Sequence, residues 1–543
     1  MVFTEIKQKN EKKYYYRVKS VRNKEKVEKQ RVYLGANLSK EELKKREEAA
    51  DKELLGIKQE IQQEKIYKES KEELPEQLNA KKENFPEWMS QILQLAGIID
   101  NRYNIKSMFV WMPYGYDMML RIKQFWDSEF KKNGIKEMYF PLMVPEEYAE
   151  QNDSWWQGFK NEGFWAGTKN KQEFIIRPTG EPAMYPMFSL WIRGLKDLPL
   201  KIYETVFSYR YETKQTRPLI RDREIGPWYE IHTCHATKEE AEQEIIIHKK
   251  INDKIWEYIA IQPLIVNKPK WEVFPGAEGA FEYYTLMPNG KVLENGSLNN
   301  LGQAYAKKFN IKFEDKDGKE KYVWQTCTGN GERYLAAVIS IHGDDSGLVL
   351  PPNIAPIQII IIPIYSEKNK KKIIEKAYEL KNKLKDFRVE IDLKEESVGS
   401  KFYDSELKGI PIRIEFGERE FKSKNLTLLL RNIKKKISVE EKDLEEEIPN
   451  ILKKIQEELL TNSKNELKSS IIETSEEKEI VKIVNKGKIA KVYWCESGSC
   501  YDKILKLGEG LDLFGSDIEK NKEGKCIICG KKTANKGYVA NSY

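Results

Sequence analysis

Cysteine is scarce, six in 543 residues with four of them in the last fifty positions, which excludes a disulfide framework holding the chain together. Long apolar runs are missing too. The longest, residues 354–365, is broken by Pro356, Gln358 and Pro363 and is too short to span a bilayer. The first residues hold no apolar signal core, so a cytoplasmic location and no membrane partner are expected. No internal repeat is visible. The net charge of +7 is mild where 33% of residues are charged, and it permits a polyanionic partner without demanding one.

What is present is a surface-rich sequence, 40% apolar and too long for one core. Residues 1–82 form a basic extension in which two alternating stretches, 14–21 and 30–34, predict a β-ribbon. Ser39-Lys-Glu-Glu then predicts the capping-box start of a long charged helix. The excess of Lys and Arg suits nucleic acid, and suits a solvated appendage equally. Residues 83–352 are rich in aromatics, with a helix expected over 116–132 and a strand over 138–145. Further strands run to about Leu350, broken by helices around 184–193 and 238–261, which implies a large, mostly antiparallel sheet with helices on its faces. Residues 353–460 alternate strand and helix as a compact α/β domain. Within the junction to the last segment, 461–543, residues 440–477 are charge-dense and helical, expected as an exposed link. The tail from Glu479 is expected as a separate small unit.

Several short patterns carry chemistry. Arg210 and Glu212 fall two apart on a β-like run and are expected on one side of a strand, with Arg221 and Arg223 returning beside them. Such a hairpin offers forked cations to a polyphosphate or carboxylate, although most charge-rich hairpins are solvated faces. In Arg177-Pro-Thr-Gly-Glu, Gly180 lets the backbone bend so that Thr179 and Glu181 aim into one pocket. His232 and His235 have opposite parity on a predicted strand, which argues against a shared ion and makes His232 a pocket residue. A strand from Leu293 opens into a glycine turn, and Gly329-Asn-Gly-Glu-Arg precedes an apolar helix, where glycines admit a nucleotide and Arg333 grips its phosphate. Cys495-x4-Cys500 with Cys526-x2-Cys529 is the two-knuckle spacing of a tetrahedral zinc site, whereas Cys234 and Cys327 are expected as core thiols.

In this order, together with Gly158-Phe159 ahead of Trp165, the run from Lys268 to Gly276 and that from Gly399 to Glu415, the motifs resemble the prolyl-tRNA synthetases of the archaeal and eukaryotic type, a family of class II aminoacyl-tRNA synthetases. The resemblance covers about residues 85 to 543. It implies an α/β multidomain protein: a class II antiparallel-sheet catalytic domain, an α/β anticodon-binding domain and a small α+β zinc-binding C-terminal domain, behind an extra β-ribbon and helix. It implies ATP-dependent attachment of L-proline to tRNA(Pro) in two steps through a prolyl-adenylate. Proline would be held by Phe159, Thr179, Glu181, Arg210, Trp228, His232, Ser297 and Asn299. ATP would meet Arg210, Glu212, Arg221 and Arg333, with Arg210 and Arg333 catalytic through charge neutralisation and Glu294 on magnesium. Cys495, Cys500, Cys526 and Cys529 would hold a structural zinc, while Lys401, Glu406 and Arg413 would read the anticodon. The family also implies a homodimer through the helix and Pro141 motif, and the stretch from Glu224 to Arg333 leaves no room for an inserted editing domain. Three positions depart from the family pattern: Glu294 for Gln, Asn299 for His and Ser297 for Thr. A threonyl-type sister enzyme and a catalytically silent tRNA-binding paralogue are the competing readings.

Overall fold

The computed structural model describes residues 2–9, 12–23, 26–47, 50–51, 78–81, 83–150, 163–168, 171–212 and 216–543. They form two compact units, Met1–Leu74 with Arg102–Asn104, and Pro75–Asn101 with Ile105–Tyr543. The first is built on three antiparallel strands, Val2–Lys9, Lys12–Asn23 and Lys26–Ala36, in sequential order. Strand Val2–Lys9 adds to the expected ribbon; its largely polar composition hides the alternation. The Ser39 N–H donates to Glu42 Oε2 at 3.0 Å and the Glu42 N–H to Ser39 Oγ at 3.3 Å, the reciprocal cap that the sequence predicts for the helix over residues 40–47. The rest of the expected long helix, beyond residue 51, lies outside the described residues.

The second unit is organised by an eleven-stranded, mostly antiparallel sheet. At its centre Gly279–Leu286, Lys291–Gly302, Trp324–Asn330, Glu224–His235 and Leu200–Tyr209 follow one another across the sheet. Alternation divides strand Glu224–His235: Tyr229 and Ile231 enter a core with Trp126, Trp256 and Tyr334, beneath helices Pro113–Lys132, Lys238–Tyr258 and Arg333–His342. Its other parity faces helix Glu181–Trp191, whose Met184, Tyr185 and Phe188 pack with Cys234 and Cys327.

Three expectations need correction. Of the strand predicted over 138–145 only Met143–Pro145 forms; residues 138–142 are irregular, and a two-residue strand, Lys136–Glu137, precedes them. Pro141 lacks an N–H for a ladder, and the Phe140 N–H is taken instead by Glu204 Oε2 at 3.2 Å. The tail from Glu479 does not stand apart: strand Leu511–Ser516 pairs with Leu264–Asn267, and Lys536–Ser542 reaches Lys291–Gly302, so both continue the large sheet. Nor is the charged stretch 440–477 an exposed link.

Within that stretch, helix Leu444–Ser470 buries Leu444, Ile448, Leu452, Ile455 and Leu459, a helical stripe, in the core of the α/β segment. The sheet of that segment runs in the order Val389–Ile391, Ile359–Pro363, Ile412–Phe416, Asn425–Leu430, Lys435–Glu440, parallel over the first three and antiparallel over the last two. Ile448→Ala is expected to destabilise it by about 2–5 kcal/mol. A denaturant midpoint unchanged in that variant would return the helix to a solvated link.

Candidate functional site

The turn after Arg177 is pinned from below. The Arg177 guanidinium forks onto Glu204, one nitrogen at 2.9 Å from Oε2, and both side chains are fully buried. The Gly180 N–H donates to Glu230 Oε2 at 2.7 Å, the Thr179 hydroxyl donates to Glu181, and Trp228 Nε1 donates to Glu230 Oε1 at 2.9 Å. His232 stands 3.3 Å from Glu230 through Nε2 and 3.0 Å from the Tyr185 hydroxyl through Nδ1. Gly180 has an ordinary φ of −77°, so bending is not why it is glycine. A Cβ there would stand 2.4 Å from Glu230 Oε2 and 2.7 Å from Met184 Cε. Gly329, which also lines the cavity, is needed for packing, since its Cβ would lie 2.4 Å from the Trp228 ring.

A cavity of about 350 Å³ opens over this floor. It gathers nine of the sequence-predicted residues: Thr179, Glu181, Arg210, Trp228, His232, Glu294, Ser297, Asn299 and Arg333. A neighbouring basic cavity of about 440 Å³ shares Glu294 and Arg333 and adds Arg221 and Tyr543. Glu212 lines neither; it pairs with Arg221 at 3.9 Å, and its carbonyl accepts from Arg223 Nε at 3.1 Å. Phe159 lies outside the described residues. Arg210 and Glu212 are not on a strand as expected. Strand Leu200–Tyr209 ends before them, because the Glu212 N–H folds back onto the Arg210 carbonyl at 2.7 Å. Arg210 Nε instead donates to the Pro178 carbonyl at 3.2 Å, which ties it to the Thr179 turn. Arg333 opens its helix and donates to the carbonyls of Glu294 at 2.7 Å and Ile220 at 3.1 Å.

Sequence reasoning missed Glu230, although it shares the parity of Trp228 and His232, and missed Glu204, which no motif marks. Their charges shape the pocket. Burial, then the charge of Glu230, pushes the Glu181 carboxyl above its ordinary range. Burial also opposes charge on Glu230, but the His232 hydrogen bond and the charges of His232 and Arg177 hold it below that range. Burial works against protonation of His232, and the surrounding carboxylates more than offset it. The carboxylates of Glu181, Glu204 and Glu230 thus share the floor with Arg177 and His232. Arg210 lies at its edge, where the charges of Glu230, Glu294 and Glu181 act on it.

Of the three residues expected to read RNA bases, Lys401 and Arg413 are buried. Lys401 Nζ donates to the Asp392 carbonyl at 3.2 Å, so it is committed to the end of strand Val389–Ile391 rather than presenting charge. Arg413 is engaged by Glu406 at 2.9 Å and Glu415 at 3.0 Å over the Phe402 ring, which leaves the Glu406 carboxylate as the exposed edge of the set.

The four tail cysteines converge with every pair of sulfurs within 4.8 Å, and Cys495 Sγ lies 3.7 Å from those of Cys500 and Cys529. Four sulfurs at about 2.3 Å from one zinc stand about 3.8 Å apart, so the set fits a closed tetrahedral site. It is the one metal-capable cluster of His, Cys, Asp and Glu among the described residues. It also reaches the cavity. Trp494 and Tyr501, each adjacent to a cysteine, meet the Trp271 ring edge-on at 6.1 and 5.4 Å, and the Tyr501 hydroxyl donates to Glu272. Glu272, Val273, Phe274 and Pro275 form one cavity wall, and Lys268 fastens it to Glu282 at 3.0 Å.

The family model for the tRNA synthetase class II core domain (G, H, P, S and T) matches residues 164–342, an anticodon binding domain matches 358–451, and the C-terminal domain of prolyl-tRNA synthetase matches 477–543. The proline–tRNA ligase of Thermoplasma acidophilum is 41% identical over 458 residues, which are 83% of this chain and 97% of that protein. That of Thermofilum pendens is 41% identical over 476 residues, 86% of this chain and 98% of its own. The structure of Giardia lamblia prolyl-tRNA synthetase in complex with prolyl-adenylate matches with a TM-score of 0.83 at 32% identity, covering 86% of this chain and 99% of that one.

A hydrogen bond to a charged group contributes about 1.5–3 kcal/mol. Tyr501→Phe, which deletes one hydroxyl, is therefore expected to raise amide exchange about tenfold across residues 268–276, read by mass spectrometry. Unchanged exchange there would disconnect the cysteine cluster from the cavity wall.

Proposed function

The chain belongs to the prolyl-tRNA synthetases, class II enzymes that act as proline–tRNA ligases, and we propose that its cavity joins L-proline to tRNA(Pro) in two steps through a prolyl-adenylate. The observation that carries this reading is the placement of the buried carboxylates Glu181 and Glu230 and of Arg210 around one cavity. A zwitterionic proline fits this arrangement, with its secondary ammonium beside Glu181 and Glu230 and its carboxylate toward Arg210. Trp228 and Phe274 offer apolar walls for the ring.

ATP enters beside Arg210, where Arg333 and Arg221 line the passage into the basic cavity. A proline carboxylate oxygen attacks the α-phosphorus as the bond to the β-phosphate oxygen breaks, leaving prolyl-adenylate and pyrophosphate. A tRNA terminal hydroxyl then attacks the prolyl carbonyl, and AMP departs. No protein nucleophile takes part. Arg210 neutralises charge that grows on the α-phosphate, and the fixed pocket supplies orientation. Glu294, an exposed carboxylate shared by both cavities, supports a place for the magnesium that travels with ATP. Zinc held by Cys495, Cys500, Cys526 and Cys529 would supply structure alone, since four thiolates leave no open position.

The remaining parts of the reading have their own support. From Glu224 to Arg333 the chain runs through strands and helices Lys238–Tyr258 and Ala304–Lys308, which supports the reading that no editing domain is inserted there. Exposed Tyr139, Met143, Leu190 and Trp191 near Pro141 give a homodimer an apolar face. Among the described residues no helix is long and apolar enough to cross a membrane.

Proline-dependent ATP–pyrophosphate exchange tests the reading: exchange driven by proline supports it, and exchange driven best by threonine, or none from folded protein, overturns it. Arg210→Ala is expected to lower the exchange rate by about a hundredfold or more, the usual cost of one transition-state donor. As pH falls, kcat/KM for proline is expected to drop while still above the usual carboxylate range, because Glu181 gains its proton early. The residual activity of Glu181→Gln should lose that acid limb.

A further inference from the structure

The basic character of the chain is concentrated in one place. Residues 1–40 hold twelve Lys and Arg against four Glu, an excess of eight, while the whole chain has an excess of seven. The other 503 residues are therefore close to neutral in sum. The three-stranded sheet sorts these charges by face. On one face, which also carries Lys13 and Lys19, Arg17 is held by Asp51 at 2.7 Å and by Glu47 at 3.5 Å, and the Thr4 hydroxyl donates to Glu47, so residues 47 and 51 neutralise Arg17.

The opposite face is different. Lys7 stands opposite Tyr14, Phe3 opposite Val18, Tyr16 opposite Tyr33 and Val18 opposite Arg31, which places these side chains on one side with Lys9, Lys12 and Lys29. The Tyr33 ring centroid lies 5.2 Å from that of Tyr16 and 6.5 Å from that of Tyr14. Lys7 Nζ stands 5.5 Å from the Tyr16 ring and Lys29 Nζ 6.0 Å from Phe3. Tyr33 is 54% exposed and Phe3 38%. Glu5 is the one acid on this face among the described residues, and Arg31 holds it at 2.9 Å.

An aromatic row with Tyr33 and Phe3 exposed and Tyr16 half-buried, bordered by lysines, has the two parts that recognise unpaired nucleotides: ring faces on which bases stack and cations that follow the phosphates. A merely solvated basic face needs no exposed aromatic row, and a protein partner alone would not call for so large an excess of one charge. We propose that this face binds single-stranded RNA, with bases on Tyr16, Tyr33 and Phe3 and phosphates along Lys7, Lys12 and Lys29. The binding stands on this unit alone; only the identity of the RNA in the cell, an unpaired stretch of tRNA, rests on the ligase reading.

The test uses the full chain and a fluorescent twelve-nucleotide oligouridine, followed by anisotropy. Tyr16→Ala with Tyr33→Ala is expected to weaken binding about tenfold or more, while Tyr16→Phe with Tyr33→Phe keeps it. Lys7→Gln with Lys29→Gln, both exposed and independent of folding, should flatten the slope of log affinity against log salt by about 1.4. Proline-dependent exchange should be unchanged in all three variants, so failure of the RNA site and failure of the ligase reading are told apart. Alanine variants that bind like wild type overturn the proposal. So does a duplex RNA of equal length competing as well as the single strand, or anionic phosphatidylserine vesicles displacing it at equal charge.

Discussion

The buried pair of Arg177 and Glu204 is the constraint on which the cleft depends. Its side chains fix the start of the Thr179 turn from beneath the sheet, and the Arg177 backbone binds on both sides. The N–H of Arg177 donates to the Leu142 carbonyl at 3.1 Å, and its own carbonyl accepts from Tyr209 at 3.3 Å. One residue therefore holds the Pro141 segment, the end of strand Leu200–Tyr209 and the substrate turn in register. Arg210 follows directly and returns to the Pro178 carbonyl. Removing one member would leave a buried charge uncompensated, at a cost of about 3–5 kcal/mol.

From that anchor the electrostatics follow. Glu230 is shared by the Gly180 N–H, Trp228 and His232, so the aromatic wall, the turn and the histidine cannot move independently. One cavity therefore sets the buried carboxylates Glu181 and Glu230 beside the Arg210 guanidinium, opposite charges on neighbouring walls. On the far side, the wall from Lys268 to Gly276 is supported from the cysteine cluster through Trp271 and Tyr501. The segment around the four cysteines thus supports the cleft wall, and the tail's strands join the large sheet as well.

Much of this was legible in the residues. Period-two alternation placed Trp228 and His232 on one face and excluded a His232–His235 metal site, and the cysteine spacing gave the four-sulfur cluster. Nine cavity residues carried motifs. What was hidden arises over long range or from backbone turns. Glu204 sits mid-strand with no local signal, because its partner is 27 residues away. The break after Tyr209 depends on one hydrogen bond within the chain, not on composition. Lys401 and Arg413 read as surface cations because charge is normally exposed; here acids and carbonyls on neighbouring elements bury them. The glycines were recognised as special, but the close approach by Glu230 and Trp228 is visible only in three dimensions.

The central claim is that the Arg177–Glu204 pair exists to aim the substrate turn, not to stabilise the fold. Replacing a buried ion pair with apolar side chains of similar size is often neutral or stabilising, so Arg177→Met with Glu204→Leu separates the two roles. The decisive measurement is calorimetric titration of L-proline into that double variant, with its unfolding midpoint recorded beside it. The account predicts a folded protein of near wild-type stability whose proline affinity is lower by about a hundredfold. Wild-type affinity in a stable double variant would contradict it.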